Sequence, residues 1–469
     1  REHEGLAMRH TLSFTRAVAA LCLLGGTAAA ILTACGGGGY GGGSGGTPPA
    51  SVTFSVMPTS IAVGQSATLT WSTNGTACTA SGAWTGMKPA SGTQSVSPSP
   101  AGTYTYTLVC SGGAYGMSTT YNATLTVTAM AASMGSSAFT VSALMSDGSV
   151  MAAATDKHLV NPWGLAFAPN APVRVANNGT QTSTRFEGSG VHAPALAVPA
   201  GLSGSANPTG LVFNGTTDFV VTHDGASAPA TFIFAGEGGT IAAWAPSVDA
   251  TRALIVFDDG AGGAVFTGLA IANNGSANLL YAADFHNNAV DVFDSSFARV
   301  TTAGGFRDAA LPAGFAPFGI QAVRIHNQTL IYVTYARQLA GTHNSADGAG
   351  LGLVNVFDTH GTLLKHLIGA GGALNAPWGI ALAPANFGSL GDALLIGNSG
   401  DGVINAFDAM SGAFIGSVSD ATGRPIATPG LRGIAFGNGA ANQPATALFF
   451  AAGIARGADG VFGRIDLGN

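Results

Sequence analysis

Asp284 and His286 stand two residues apart in Tyr281-Ala-Ala-Asp-Phe-His-Asn-Asn. Alternate residues of an extended segment point the same way, so this spacing offers a carboxylate and an imidazole to one side of the chain. Joined by His223 and Asp224, they predict a mixed nitrogen and oxygen site of the kind that suits zinc. Oxygen atoms from Asp284, Asn177 and Asn398 would suit calcium instead. Either ion would polarise a carbonyl group or activate water, which is the chemistry of a metal-assisted hydrolase or lyase. The specific enzyme signatures are missing: there is no His-Glu-x-x-His, no CxxC pair and no phosphate loop. The one Gly-x-Ser-x-Gly match, Gly42 to Gly46, falls in a glycine-rich tether where no strand-to-helix elbow can form.

The elements that must position these residues are repeats. Six segments open with a glycine and a short apolar strand: Asn161-Pro-Trp-Gly-Leu-Ala, Asn207-Pro-Thr-Gly-Leu-Val, Phe266-Thr-Gly-Leu-Ala, Ala316-Pro-Phe-Gly-Ile-Gln, Ala376-Pro-Trp-Gly-Ile-Ala and Leu431-Arg-Gly-Ile-Ala. Gly164, Gly210, Gly268, Gly319, Gly379 and Gly433 recur roughly every 50 residues, the period of a four-stranded propeller blade. The last repeat has only three strands, and Phe139-Thr-Val-Ser-Ala-Leu, which has no blade of its own, is expected to supply the fourth and close the ring. The fold class is therefore all-β, with a six-bladed β-propeller over residues 138–469.

In a propeller the loop leading into each innermost strand and the turn between the second and third strands share one face. That face is expected to collect an aromatic rim of Trp163, Phe318 and Trp378 above Asn177, Asn178, His223, Asp224, Asp284, His286, Asn287, Arg337, Asn398 and Asp401. Such a convergence is a default ligand-binding hypothesis. Asn178-Gly179 and Asp401-Gly402 also read as ordinary turn formers, and the tryptophans as packing between blades. Asp294, Asp358 and Asp408, each after a Phe, read as hairpin caps on the opposite face. The loop from Gln338 to Gly350 is long enough to act as a lid.

With 46% hydrophobic residues, 9% charged residues, 70 glycines and a formal net charge of -6, the chain suits a turn-dense β protein and presents no basic surface for nucleic acid. Residues 50–130 carry short alternating strands expected to form a small immunoglobulin-like β-sandwich, although Trp71 stands where an antibody domain's first Cys would lie and Leu108 replaces the expected Tyr. Residues 1–35 read as an export signal in which Met8 is a plausible start, and residues 36–49 as a Gly/Ser tether. The run Leu32-Thr-Ala-Cys35 resembles a bacterial lipobox, which implies lipidation of Cys35. Cys22 would leave with the leader, so Cys78 and Cys110 remain as a disulfide pair in an oxidising compartment.

Leu159-Val-Asn-Pro-Trp-Gly-Leu-Ala-Phe, Tyr281 to Asp294 and Asn375-Ala-Pro-Trp-Gly-Ile-Ala-Leu-Ala-Pro-Ala-Asn-Phe-Gly resemble an uncharacterised bacterial family of extracytoplasmic propellers related to NHL repeats, some of them found with PEP-CTERM systems. The resemblance implies fold and location but no activity. With the lipobox it leads to an outer-membrane lipoprotein, monomeric and anchored by its acyl chains, facing the periplasm or the cell exterior. Its propeller would bind a protein, glycan or small ligand, with a lactonase-like metal enzyme using calcium or zinc as the alternative.

Overall fold

The structure, a computed structural model, describes residues 52–62, 66–74, 77–98, 102–111, 118–128, 137–190, 192–202 and 204–468. The expected signal segment, Cys35 and the tether lie outside the described residues.

The N-terminal part is two antiparallel-dominated sheets sharing one core. The first holds Val52–Met57, Ala67–Thr73 and Ser91–Val96; the second holds Ser60–Ala62, Ser118–Thr128, Gly102–Ser111, Ala77–Gly82 and Gly86–Lys88 in that spatial order. Alternation sends Val56, Leu69 and Trp71 inward from one sheet to meet Leu108, Leu125 and Val127 from the other. Trp84 fills the centre, stacked on Phe54 at 5.5 Å and edge-on to Trp71 at 5.4 Å. Cys78 and Cys110 are bonded, as expected. They are direct cross-strand partners within one sheet. An antibody-type bridge instead joins the two facing sheets.

The remainder is a ring of six sheets, five of four strands and a sixth in which Ala154–Thr155 adds a fifth strand beside Phe139–Ser146. Their innermost strands are Pro162–Ala166, Pro208–Phe213, Phe266–Asn273, Phe315–Ile325, Pro377–Leu382 and Leu431–Phe436. Blades one to five each continue outward in chain order through antiparallel neighbours. Blade six closes the ring as the sequence predicts: Val461–Leu467 pairs antiparallel with Phe139–Ser146, from Val461 opposite Ser146 to Leu467 opposite Phe139. That pairing ties the two ends of the propeller into one sheet and leaves Phe139 in a shared core with Phe387, Leu431 and Ile465.

The repeated glycine has a steric cause. A Cβ on Gly164 would strike the Thr209 carbonyl, on Gly210 the backbone of Gly268 and Leu269, on Gly319 the Trp378 carbonyl, on Gly379 the Arg432 carbonyl and on Gly433 the Trp163 carbonyl. On Gly268 it would sit 3.1 Å from the Ile320 amide nitrogen. These contacts run a complete circuit, each blade's glycine admitting the backbone of the next. All six innermost strands also break register at or beside this glycine, a repeated bulge that bends the strand at the axis.

Electrostatics joins blades two and three. Arg299 is shared between Asp259 and Asp291, the latter at 3.2 Å. Burial pushes the Asp291 carboxyl up to about 6, Arg299 pulls it down, and Asp284 and Asp259 push it up again. A carboxyl whose folded pKa is raised keeps its proton in the fold over a window where the unfolded chain has released it, so the folded state loses stability as pH rises from about 4 through about 6. The size of that loss is about 3 kcal/mol. Asp291→Asn is expected to remove it, leaving a melting temperature that falls less between pH 4.5 and pH 8 than the wild type's, with Arg299 still held by Asp259. An unchanged pH slope in thermal melts would refute this role.

Candidate functional site

The residues just before the axial glycines are, around the ring, Trp163, Thr209, Thr267, Phe318, Trp378 and Arg432. The two threonines bind the ring together. Thr209 donates its hydroxyl to the Phe266 carbonyl of the next blade at 2.7 Å, and Thr267 donates to the Phe318 carbonyl at 2.8 Å. The Trp378 indole N–H reaches two blades away to the Thr267 carbonyl at 2.8 Å. Trp163 meets Phe318 edge-on at 6.1 Å and Trp378 edge-on at 5.9 Å, and Phe285 packs on Phe318 at 5.0 Å. The three expected rim aromatics thus converge, but as a plug rather than a rim. Below them the channel narrows to about 30 Å³ at the glycine ring and then widens, at the far end, to a vestibule of about 470 Å³.

Arg432 lies on that plug. Its guanidinium stacks over Trp163 at 4.4 Å and lies 6.0 Å from the Phe318 ring. Nη1 donates to the Leu431 carbonyl at 3.2 Å. Its Nε and the Trp163 Nε1 are both buried without a hydrogen-bond partner. Burial pushes the guanidinium down to about 10, against the opposing pull of Glu237 and Asp347, so it is cationic at neutral pH.

Glu237 supplies the opposite charge from the turn between Phe232–Gly236 and Thr240–Trp244 in blade two. Its Oε2 accepts the Asn178 amide at 2.7 Å, and Asn178 is held in turn by Asn161 at 2.9 Å. Burial pushes the Glu237 carboxyl above its ordinary range, and the Asn178 hydrogen bond, Arg432 and His343 pull it back in part. No ion pair within 4.0 Å joins Glu237 to Arg432 among the described residues.

The loop from Gln338 to Gly350 spans this mouth. Gln338 donates its amide to the Phe285 and His286 carbonyls, the latter at 3.3 Å; the His343 ring lies 4.8 Å from the His286 ring; and the Gly348 N–H donates to Asn375 at 2.7 Å. It is therefore fastened to blades three and five, while its exposed His343 and Asp347 are within electrostatic reach of Glu237 and Arg432.

Several expected site residues serve the frame instead. Asp284 is 1% exposed, its Oδ1 accepting the Val265 and Asn287 amides and its Oδ2 the Asn287 side chain at 2.8 Å. Three of the roughly four acceptor positions of that carboxylate are taken, so a chelate with His286 does not fit. The strand ends at Asp284, and the two-residue alternation ends with it. Asn177 bonds Thr182 and Thr184 of its own blade, and Asn398 bonds the backbone of Ala373 and Asn375, so the three calcium oxygens do not converge. Asp401 accepts Val403 N–H and two asparagine amides, as a turn former does. Arg337 is exposed at the root of the spanning loop.

His223 and Asp224 are a correction. They form the turn of an extra hairpin, Val220–His223 with Ala226–Pro229, inserted between the first and second strands of blade two. Loops in that position leave the face opposite the mouth, and His223 there meets Arg252 at 3.4 Å. Among the described residues no group of three or more His, Cys, Asp or Glu side chains is placed to hold a metal ion. Asp294, Asp358 and Asp408 cap their hairpins as expected, each accepting at least two backbone amides.

Arg432, Thr209 and Thr267 were visible in the repeat openings, since they occupy the position of Trp163, Phe318 and Trp378. Glu237 was hidden because the extra hairpin displaces the true second-to-third turn of its blade.

The chain is 32% identical over 329 residues to "Uncharacterized protein R648" of Acanthamoeba polyphaga mimivirus, a match that covers 69% of this chain and 78% of that protein. It belongs to that protein's family. "Uncharacterized protein L690" of the same virus is 32% identical over 305 residues, covering 63% of this chain and 78% of its own length. No family model matches. These relatives of the R648 family are viral, and the bacterial, PEP-CTERM-associated attribution drawn from the motifs finds no support among them. Among solved structures, a streptogramin B lyase (13% identity, TM-score 0.40, covering 70% of this chain and 97% of the other) and a glucose dehydrogenase (14%, TM-score 0.41, 69% and 98%) are similar. The propeller itself stands on the strand pairing described above.

Proposed function

We propose that this member of the R648 family is a binding protein whose propeller holds a small ligand bearing an anionic group at the channel mouth. The observation that carries the reading is Arg432: a cation stacked on Trp163, half-buried, with a buried Nε–H that nothing in the protein accepts. A buried unsatisfied donor is destabilising by about 1–3 kcal/mol, and a carboxylate or phosphate accepting from it would relieve that and gain a charge-assisted bond. Trp163 Nε1 offers a second donor beside it. The Cys78–Cys110 bridge supports an oxidising, extracytosolic setting for such a receptor.

Titrating acetate, benzoate and inorganic phosphate while following tryptophan fluorescence tests the reading, because Trp163 and Trp378 lie at the site. Binding of at least one anion, weakened about tenfold or more by Arg432→Gln, is expected from the loss of a charged hydrogen bond. Equal binding by the folded variant would overturn it.

A further inference from the structure

We infer that the vestibule at the far end of the channel is a second ligand site, shaped for a molecule with an apolar tail and an anionic head, such as a medium-chain carboxylate. The vestibule holds about 470 Å³ and is pinched to about 30 Å³ at the glycine ring, so it is a cup with a nearly closed floor. Its volume lies in the range of small-molecule sites. The site does not depend on Arg432.

The wall of the cup follows from the repeat. Three residues after each axial glycine stand Phe167, Phe213, Ile271, Ala322, Leu382 and Phe436, all lining the cup and all half-buried. The phenylalanines are braced from behind: Phe167 lies edge-on to Phe449 at 5.6 Å, Phe213 to Phe232 at 5.8 Å and Phe436 to Phe387 at 4.9 Å. Large apolar side chains left partly bare to a cavity gain by being covered, and a braced wall receives a tail without rearranging.

Blade four breaks the pattern. Two residues after the glycine, where the other blades carry Ala166, Val212, Ala270, Ala381 and Ala435, it carries Gln321, and Arg324 follows on the same strand. Both are exposed and both line the cup, in which Arg324 is the one charged residue among the described residues. Among these its guanidinium donates only to Asn327, at 3.4 Å, and no carboxylate lies within 4.0 Å of it. An unpaired cation on one side of an apolar cup selects a tail with an anionic end. An amine would meet a like charge, and an alcohol would leave the guanidinium unpaired.

Calorimetric titration of the purified full chain with hexanoate, octanoate, octanol and octylamine tests this, with melting temperature followed beside it. Octanoate is expected to bind about tenfold or more tightly than hexanoate, because each buried methylene adds about fourfold. It should also bind more tightly than octanol or octylamine. Arg324→Gln should weaken octanoate several-fold and leave octanol unchanged. Ala322→Phe gives blade four the residue that blades one, two and six carry at that position, so the fold should accept it. With the cup filled, octanoate binding should fall about tenfold or more. Arg432→Gln, at the other end of the channel, should leave the gain from hexanoate to octanoate intact. The inference is overturned by the absence of a gain with tail length, by octanoate binding that survives Ala322→Phe, or by an Arg324→Gln chain that still prefers octanoate to octanol as the wild type does. A gain that disappears in Arg432→Gln would place the tail at the mouth and overturn it as well.

Discussion

Gly379→Ala is expected to destabilise the propeller by about 3 kcal/mol or more, or to prevent its folding. The added Cβ would lie 2.5 Å from the Arg432 carbonyl oxygen and 2.9 Å from Ile434 Cγ1 of the next blade. Neither neighbour is a flexible tip that can swing aside: the carbonyl is backbone of an innermost strand, and Ile434 is packed in the core between blades five and six. Relief would need the two blades to separate at the axis, and the closed ring transmits that separation to every other blade. The comparison is Gly416→Ala, in the outermost strand of blade five, where a Cβ meets nothing within 4 Å. That change should move the melting temperature little or raise it slightly, by restricting the unfolded chain. Thermal unfolding of the two variants side by side decides the matter, and equal effects would sink the close-approach account.

Breaking the Cys78–Cys110 bridge is the second large expected effect. It closes a loop of separation 32, for which chain entropy predicts about 3–4 kcal/mol. The sandwich it serves has a single small core, so that loss is a large share of its stability. Positions 78 and 110 are buried in the same core as Leu108 and Trp84, so the two hydroxyls of Cys78→Ser/Cys110→Ser add a desolvation cost there. Calorimetry of the oxidised, reduced and doubly substituted chains should show a transition moving down by many degrees in the latter two. The propeller contains no cysteine, so its own transition should stay in place under reductant. A transition indifferent to both treatments would show that the paired strands hold without the bridge.

The two expectations differ in how they could be reached. The glycine could be read directly, because a residue repeated at one place in six blades reports a constraint repeated six times, and the steric constraint at the axis is the same in each. The ring closure was equally open to reading, since a three-stranded last repeat and an orphan strand at the front are complementary by count. The cysteine pair followed from elimination, but that its members are neighbours in one sheet did not. Strand order within a sandwich is decided by which hairpins pair, and the short strands here do not state that in their periodicity.

The site was legible only in part. Trp163, Phe318 and Trp378 were found because they are aromatic, and Arg432 in the same position was passed over because it broke that type. Asp284 and His286 drew attention as a pair, yet an isolated turn can satisfy a carboxylate completely, and Asn287 does so. The misplacement of His223 and Asp224 arose from one inserted hairpin, which shifts every later turn of blade two by two strands.

By itself, then, the sequence determined the all-β class, the number of blades, the axial glycines, the closure of the ring and the cysteine pair, because each is a local pattern repeated or counted along the chain. Tertiary structure alone decided that the aromatics plug the channel and that Arg432 lies over Trp163. It also decided that Glu237, nearly two hundred residues from Arg432 in sequence, is held by Asn178 close enough to Arg432 for their charges to interact. Those groups come from different blades and have no common motif; they meet only because a closed ring brings the starts of its innermost strands and its second-to-third turns to one face.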